Sequence, residues 1–242
     1  MLFPIKDYNP TRKTAYVTIV LIIINVAVFL YQGMFSDKPL GYHIVNSAMV
    51  PAEITHFKNM PVLVGQNRFT GRPVYYNGRE ISPFVSLFAS IFMHGSLWHL
   101  LGNMLFLWIF GNNIEDYLGK VKFIIFYFLA GLGASLVHVL FHFNSLIPVI
   151  GASGAVSGVM GAYLILYPHA KVRTLVFIFI FITFIDLPAF VFLIVWFIFQ
   201  FLYAGAGSGI AWMAHVGGFV IGILLIKQIR KKPRKPIIEI LQ

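Results

Sequence analysis

Six apolar stretches, at residues 15–31, 97–118, 121–143, 153–167, 189–204 and 211–229, leave this chain few choices of fold. A helix rises about 1.5 Å per residue, so stretches of this length cross, or nearly cross, the roughly 30 Å hydrocarbon core of a bilayer. In lipid a backbone must satisfy its own polar groups, and a helix does so within one segment. Composition agrees: 59% of the residues are hydrophobic and 11% charged, where a soluble domain is about one quarter charged. The expected fold is an all-α polytopic membrane protein. Six transmembrane helices form one domain over 15–229, between a short segment 1–14 and a basic tail 230–242, with the lipid bilayer as solvent. No small-residue cleavage site follows the first charged residues, so the first span is expected to stay.

The net charge of +10 is concentrated, with six basic residues in 227–235 and three before Thr14. Such clusters anchor a membrane protein and form no groove for nucleic acid, so no nucleic-acid partner is expected. The positive-inside rule places both termini in the cytoplasm and requires an even number of spans. Lys120 and Lys122 then fall in one cytoplasmic connection, and Lys171 and Arg173 in another. The apolar run 174–185 is left over. As a helix it would span about 18 Å, too short to cross, and it is expected to be re-entrant or interfacial. The connection 32–96 lies outside and is too long for an idle linker, so it is expected to fold as a long, partly embedded outer loop. Cysteine is absent, which removes disulfides, thiolate nucleophiles and thiolate metal sites.

Orientation assigns a depth to each polar residue. His99 and Asn103, at i and i+4, fall in the outer half of the second span. Ser153 opens the fourth span, which runs only about 22 Å before Pro168 and so starts below the outer surface. His215 stands little more than a turn into the sixth. Gly154, Gly158 and Gly161 give the fourth span a face almost without side chains, beside a row of Ser153, Ser157 and Gly161. Gly218 and Gly222 give the sixth span a matching face, and close approach along them would bring His215 to Ser153. A neutral imidazole can take the proton that makes a serine hydroxyl nucleophilic. The Ser153 N–H at a helix start, the Asn103 amide and the His99 ring can serve as oxyanion donors. No third acid stands near: between Asp116 and Glu239 the only acidic residue is Asp186, expected at the cytoplasmic side. The residues therefore read as a Ser–His dyad.

Bland readings stand beside this one. A glycine-serine string in a membrane helix is more often a packing motif, and His99 and Asn103 also serve as interhelical glue. His138 and His142, at i and i+4, lack a third ligand and read as interfacial. Glu115 reads as a helix cap or tie, and Met104 and the phenylalanines as filling. No zinc motif, facing aspartates or intramembrane lysine is present, so no metal and no cofactor is expected. The rival classes are a catalytically inactive binder of client helices and a small transporter. The first usually lacks the serine or the histidine, and the second calls for internal repeats or buried charges.

The strings His94-(x4)-His99-(x3)-Asn103, Glu115 with Leu118-Gly119, Gly151-x-Ser153-Gly154 and Ala214-His215-x-x-Gly218-x-x-x-Gly222 agree in order and spacing with the rhomboid intramembrane serine proteases, which the chain resembles over about residues 82–225. The resemblance implies a six-helix rhomboid core with a water-filled cavity open to the outer face. It implies cleavage of the transmembrane segments of substrate membrane proteins near their outer ends, with no metal. Ser153 would be nucleophile, His215 base, and His99 and Asn103 oxyanion helpers. A small side chain before the scissile bond and a helix-loosening residue after it are expected. In many rhomboids a tyrosine four residues after the nucleophile stacks on the catalytic histidine. Here that position is Ser157, so another group must brace His215. The Trp-Arg pair of several rhomboid outer loops is missing before the second span, and Trp196 resembles the bulky lateral-gate position. The minimal form suggests a bacterial cytoplasmic membrane.

Overall fold

The computed structural model describes residues 2–67, 70–178, 181–204 and 211–230. Strand β1 (Leu2–Asp7) leads into helix α1 (Tyr16–Leu30), which continues through a wider π-turn to Phe35. Ala15, at the start of α1, offers no capping side chain. Glu115 supplies the cap from a distant helix, accepting from the N–H groups of Val17 and Thr18 at 2.9 and 2.8 Å and from the Thr18 hydroxyl at 2.9 Å. A carboxylate is well suited to the free N–H groups and positive end of a helix.

The connection that follows is built rather than loose. It holds α2 (Leu40–Ser47), α3 (Pro51–His56), a hairpin of β2 (Val62–Gln66) and β3 (Pro73–Tyr76), and α4 (Pro83–Ala89). Its anchor is a fully buried ion pair, with Arg79 Nη1 donating to Glu53 Oε2 at 2.5 Å. Arg79 Nη2 also reaches the Ala48 carbonyl at 2.6 Å, and Glu53 accepts from the Met60 N–H at 3.0 Å. Burial pushes the Glu53 carboxyl up and the Arg79 guanidinium down from their ordinary values. A two-way backbone pairing of Met49 with Val149, at 3.0 and 2.8 Å, ties this region to the segment before Ser153.

Next comes α5 (Leu97–Phe106), capped by Ser96, whose side chain accepts from the His99 N–H. A π-turn at Leu107–Gly111 joins it to α6 (Asn112–Leu118), and α4 with its short extension meets this helix at a bend of 79°. Gly119, at φ +77°, ends α6 and starts α7 (Lys120–Phe141). Helix α8 (Ser153–Leu166) is the centre of the bundle, with residues 154–163 all buried. Strands β4 (Lys171–Ile178) and β5 (Phe181–Pro188) precede α9 (Ala189–Ala204) and α10 (Trp212–Ile229).

The chain is mostly helical. Among the described residues, three helices are long and apolar enough to cross a membrane: Tyr16–Phe35, Lys120–Phe141 and Trp212–Ile229. The bent pair ending at Leu118 would make a fourth, and Ser153–Leu166 and Ala189–Leu202 are shorter apolar helices.

One expectation is corrected. The fold is not all-α, because β1, β4 and β5 form an antiparallel sheet in that order. Of the run 174–185, expected to be re-entrant or interfacial, residues 174–178 belong to β4 and 181–185 to β5. Val172, Thr174 and Val176 turn inward at the two-residue period of a strand, and β1 supplies the ladder partner, with Leu2 opposite Val176 and Asp7 opposite Val172. Asp186 pairs across the hairpin with Arg173 at 3.0 Å.

Candidate active site

Helix α8 begins beneath a turn that only glycine tolerates. Gly151 has φ +120°, and a Cβ there would lie 2.8 Å from the His99 ring, so the imidazole sits flush on the backbone leading into Ser153. Ser153 is the first residue of α8, with its N–H among those a helix start leaves free. His215 stands one turn into α10, and its Nε2 lies 2.8 Å from Ser153 Oγ.

Glycine sets this distance, though not along a single face. A Cβ on Gly218 would overlap the Gly154 carbonyl, one on Gly222 the Gly158 backbone, and one on Gly161 the Phe219 carbonyl. The same helix is equally tight on its other side. A Cβ on Gly154 would come 2.7 Å from the Ala134 Cβ of α7, and one on Gly158 would overlap Ala130. The small residues expected to meet the sixth span do so, and Gly154 and Gly158 also meet α7, because α8 is wedged between two helices.

His215 has a second partner that sequence reasoning missed. Its Nδ1 lies 2.7 Å from Gln200 Oε1, while Gln200 Nε2 donates to the Trp196 carbonyl at 2.9 Å. Because a carbonyl only accepts, the amide nitrogen must face Trp196 and the amide oxygen must face the ring. An Nδ1–H on His215 would satisfy this acceptor and leave Nε2 free to accept from the Ser153 hydroxyl. The Trp196 ring lies beside the imidazole in a tilted contact, with centroids 6.1 Å apart and planes 31° off parallel. Ser157 does not brace the histidine; its hydroxyl turns back to the Ser153 carbonyl at 2.6 Å. The available signal for Gln200 was an amide in an otherwise apolar stretch.

A cavity of about 980 Å³ opens over the pair, with Trp98, Phe106, Met160 and Trp196 on its apolar wall and His99 and Asn103 on its polar one. Asn103 is buried, and its Nδ2 has no hydrogen-bond partner among the described residues. A buried amide N–H without a partner is costly unless a ligand oxygen takes it up. His94 lies buried edge-on to His99, with centroids 5.0 Å apart. His138 and His142 stack at 4.2 Å and line the same cavity. Among the described residues, no three acidic, histidine or cysteine residues are grouped to hold a metal.

The Rhomboid domain matches residues 82–232 of this chain. Rhomboid protein 1, mitochondrial, of Saccharomyces cerevisiae is 33% identical over 166 residues, covering 65% of this chain and 45% of that protein. Rhomboid protease AarA of Providencia stuartii is 27% identical over 230 residues, covering 86% of this chain and 70% of its own length. The presenilin-associated rhomboid-like protein, mitochondrial, of Mus musculus is 29% identical over 162 residues, 62% of this chain and 40% of that protein. The chain thus spans about half or less of its mitochondrial relatives' length.

Proposed function

This chain belongs to the rhomboid family, and from that premise we propose that it is an intramembrane serine endopeptidase cutting substrate proteins in or beside their transmembrane segments. The observation that carries the reading is the 2.8 Å contact between Ser153 Oγ and His215 Nε2 at the floor of a cavity. In the proposed reaction His215 takes the hydroxyl proton as Ser153 attacks the peptide carbonyl. The Ser153 N–H, the unpartnered Asn103 amide and the His99 ring surround the space where the oxyanion would form. His215 then gives its proton to the leaving amine, and a water hydrolyses the acyl-enzyme by the same steps reversed. Trp98, Phe106, Met160 and Trp196 offer an apolar wall to a helix unwinding into the site.

The bundle is read as six spans, with α8 and α9 shorter than a full crossing and Ser153 consequently below the surface. Lys6, Arg12, Lys13, Lys120, Lys122, Lys171, Arg173 and Lys227 belong to the ends and connections away from Ser153, which supports a cytoplasmic assignment for that side. The cavity would open on the opposite, outer face. A bacterial cytoplasmic membrane is the proposed host, supported by the long match to the Providencia protein. The mitochondrial names of other relatives make a mitochondrial membrane the second reading.

The test is labelling of the purified chain by a fluorophosphonate, together with cleavage of a transmembrane substrate. Labelling and cleavage by the wild type, both lost in Ser153→Ala and His215→Ala, are expected. Folded wild-type protein that neither labels nor cuts would favour the inactive helix-binding protein instead.

A further inference from the structure

We infer that Gln200 is the positioning residue for His215, making a Ser153–His215–Gln200 chain in which a neutral amide stands where a carboxylate orients the histidine of many hydrolases. The inference rests on the protease reading above and deepens it.

A histidine used as a base must present an unprotonated nitrogen to the serine, and an unassisted imidazole divides itself between two tautomers. Gln200 Oε1, 2.7 Å from Nδ1, rewards only the tautomer that leaves Nε2 free. The amide cannot turn over to spoil this, because its Nε2 is held by the Trp196 carbonyl one turn earlier on α9. The same acceptor stabilises the imidazolium that forms when Ser153 gives up its proton. Burial explains why an amide serves: Gln200 is 3% exposed, and an ionised carboxylate in that position would carry a desolvation cost that a neutral acceptor avoids. Among the described residues, the other titratable groups lining the cavity with His215 are His99 from α5, His138 from α7 and His142 just beyond it. None of them is bonded to Nδ1, so the tautomer is left to Gln200.

The competing explanation is that Gln200 merely glues α9 to α10, a common use of an amide in lipid. The two differ in what they move. For the full chain in detergent, Gln200→Leu is expected to lower kcat by about 10²-fold, with KM and Tm little changed, since a mis-set base costs rate rather than binding. Gln200→Glu restores the acceptor, so its kcat is expected to return to within about tenfold of wild type. The acidic limb of its pH profile moves to higher pH, because a carboxylate favours the imidazolium. Nitrogen-15 NMR of the histidines, with His215 assigned by its loss in His215→Ala, reads the tautomer without any turnover. Wild type is expected in the Nδ1–H form and Gln200→Leu in a mixture. An unchanged tautomer and unchanged kcat in Gln200→Leu would overturn the inference. So would a loss in both variants that tracks a fall in Tm. If wild-type protein held the Nδ1–H form yet neither labelled nor cut, the protease reading would fail while the positioning of His215 stood.

Discussion

Gly222 meets the backbone of Gly158 with no room for a Cβ between them, so α10 and α8 touch main chain to main chain below the Ser153–His215 pair. In lipid, helices gain nothing from hiding apolar surface, and close packing takes over as the force that joins them. The contact therefore sets both the stability of the bundle and the distance across which a proton would move.

Gly222→Leu is expected to push α10 off α8, at a cost of about 1–3 kcal/mol or more from overpacking. Thermal unfolding in detergent should show the lower Tm, and fluorophosphonate labelling should fall with it, although residue 222 lies two turns from His215. Wild-type labelling in a well-folded Gly222→Leu protein would show that the glycine contact does not govern the site.

Asn103→Ala separates chemistry from folding. The amide Nδ2 is buried without a partner among the described residues, so its removal breaks no donated bond there. The expected outcome is a Tm close to wild type and a kcat lower by about 10²–10³-fold, the usual cost of one oxyanion donor. A kcat within twofold of wild type would remove Asn103 from the oxyanion site.

Arg79→Ala leaves Glu53 buried and unpaired, and losing one partner of a buried pair costs about 3–5 kcal/mol. The damage should be local to 40–80, where limited proteolysis is expected to cut the variant and spare the wild type. Replacing both residues by apolar ones of similar size is expected to be milder than Arg79→Ala, and a harsher double variant would contradict the account of the pair.

Asp7 gives a pH dependence. Its carboxyl accepts from the Tyr163 hydroxyl at 2.7 Å and from Asn113 Nδ2 at 2.8 Å, but burial outweighs both and raises its pKa from the ordinary 3.8. A carboxyl raised on folding stabilises the fold fully below its unfolded value, and that contribution is lost as pH rises through the folded value. The Tm of Asp7→Asn minus that of wild type should therefore grow as pH increases from about 4. A difference that shrinks would mean the hydrogen bonds to the ionised form dominate.

The sequence by itself determined the solvent of this protein and the identity of its polar centre. Apolar runs of membrane length and small residues at helical spacing are local properties, legible from neighbours in the chain. Asn103, Ser153 and His215 were conspicuous because each is a polar group in a greasy segment. What only the tertiary structure decided depends on partners far apart in sequence. The run 174–185 carries no usable period, being apolar nearly throughout, and its strands form because residues 2–7 pair with β4 and β4 pairs in turn with β5. The glycines of α8 are small on every side, so their spacing could not tell α7 from α10, and packing set them against both. Gln200 was hidden for the same reason. An amide within a span states that it needs a partner, but only the approach of α9 to α10 makes that partner Nδ1 of His215.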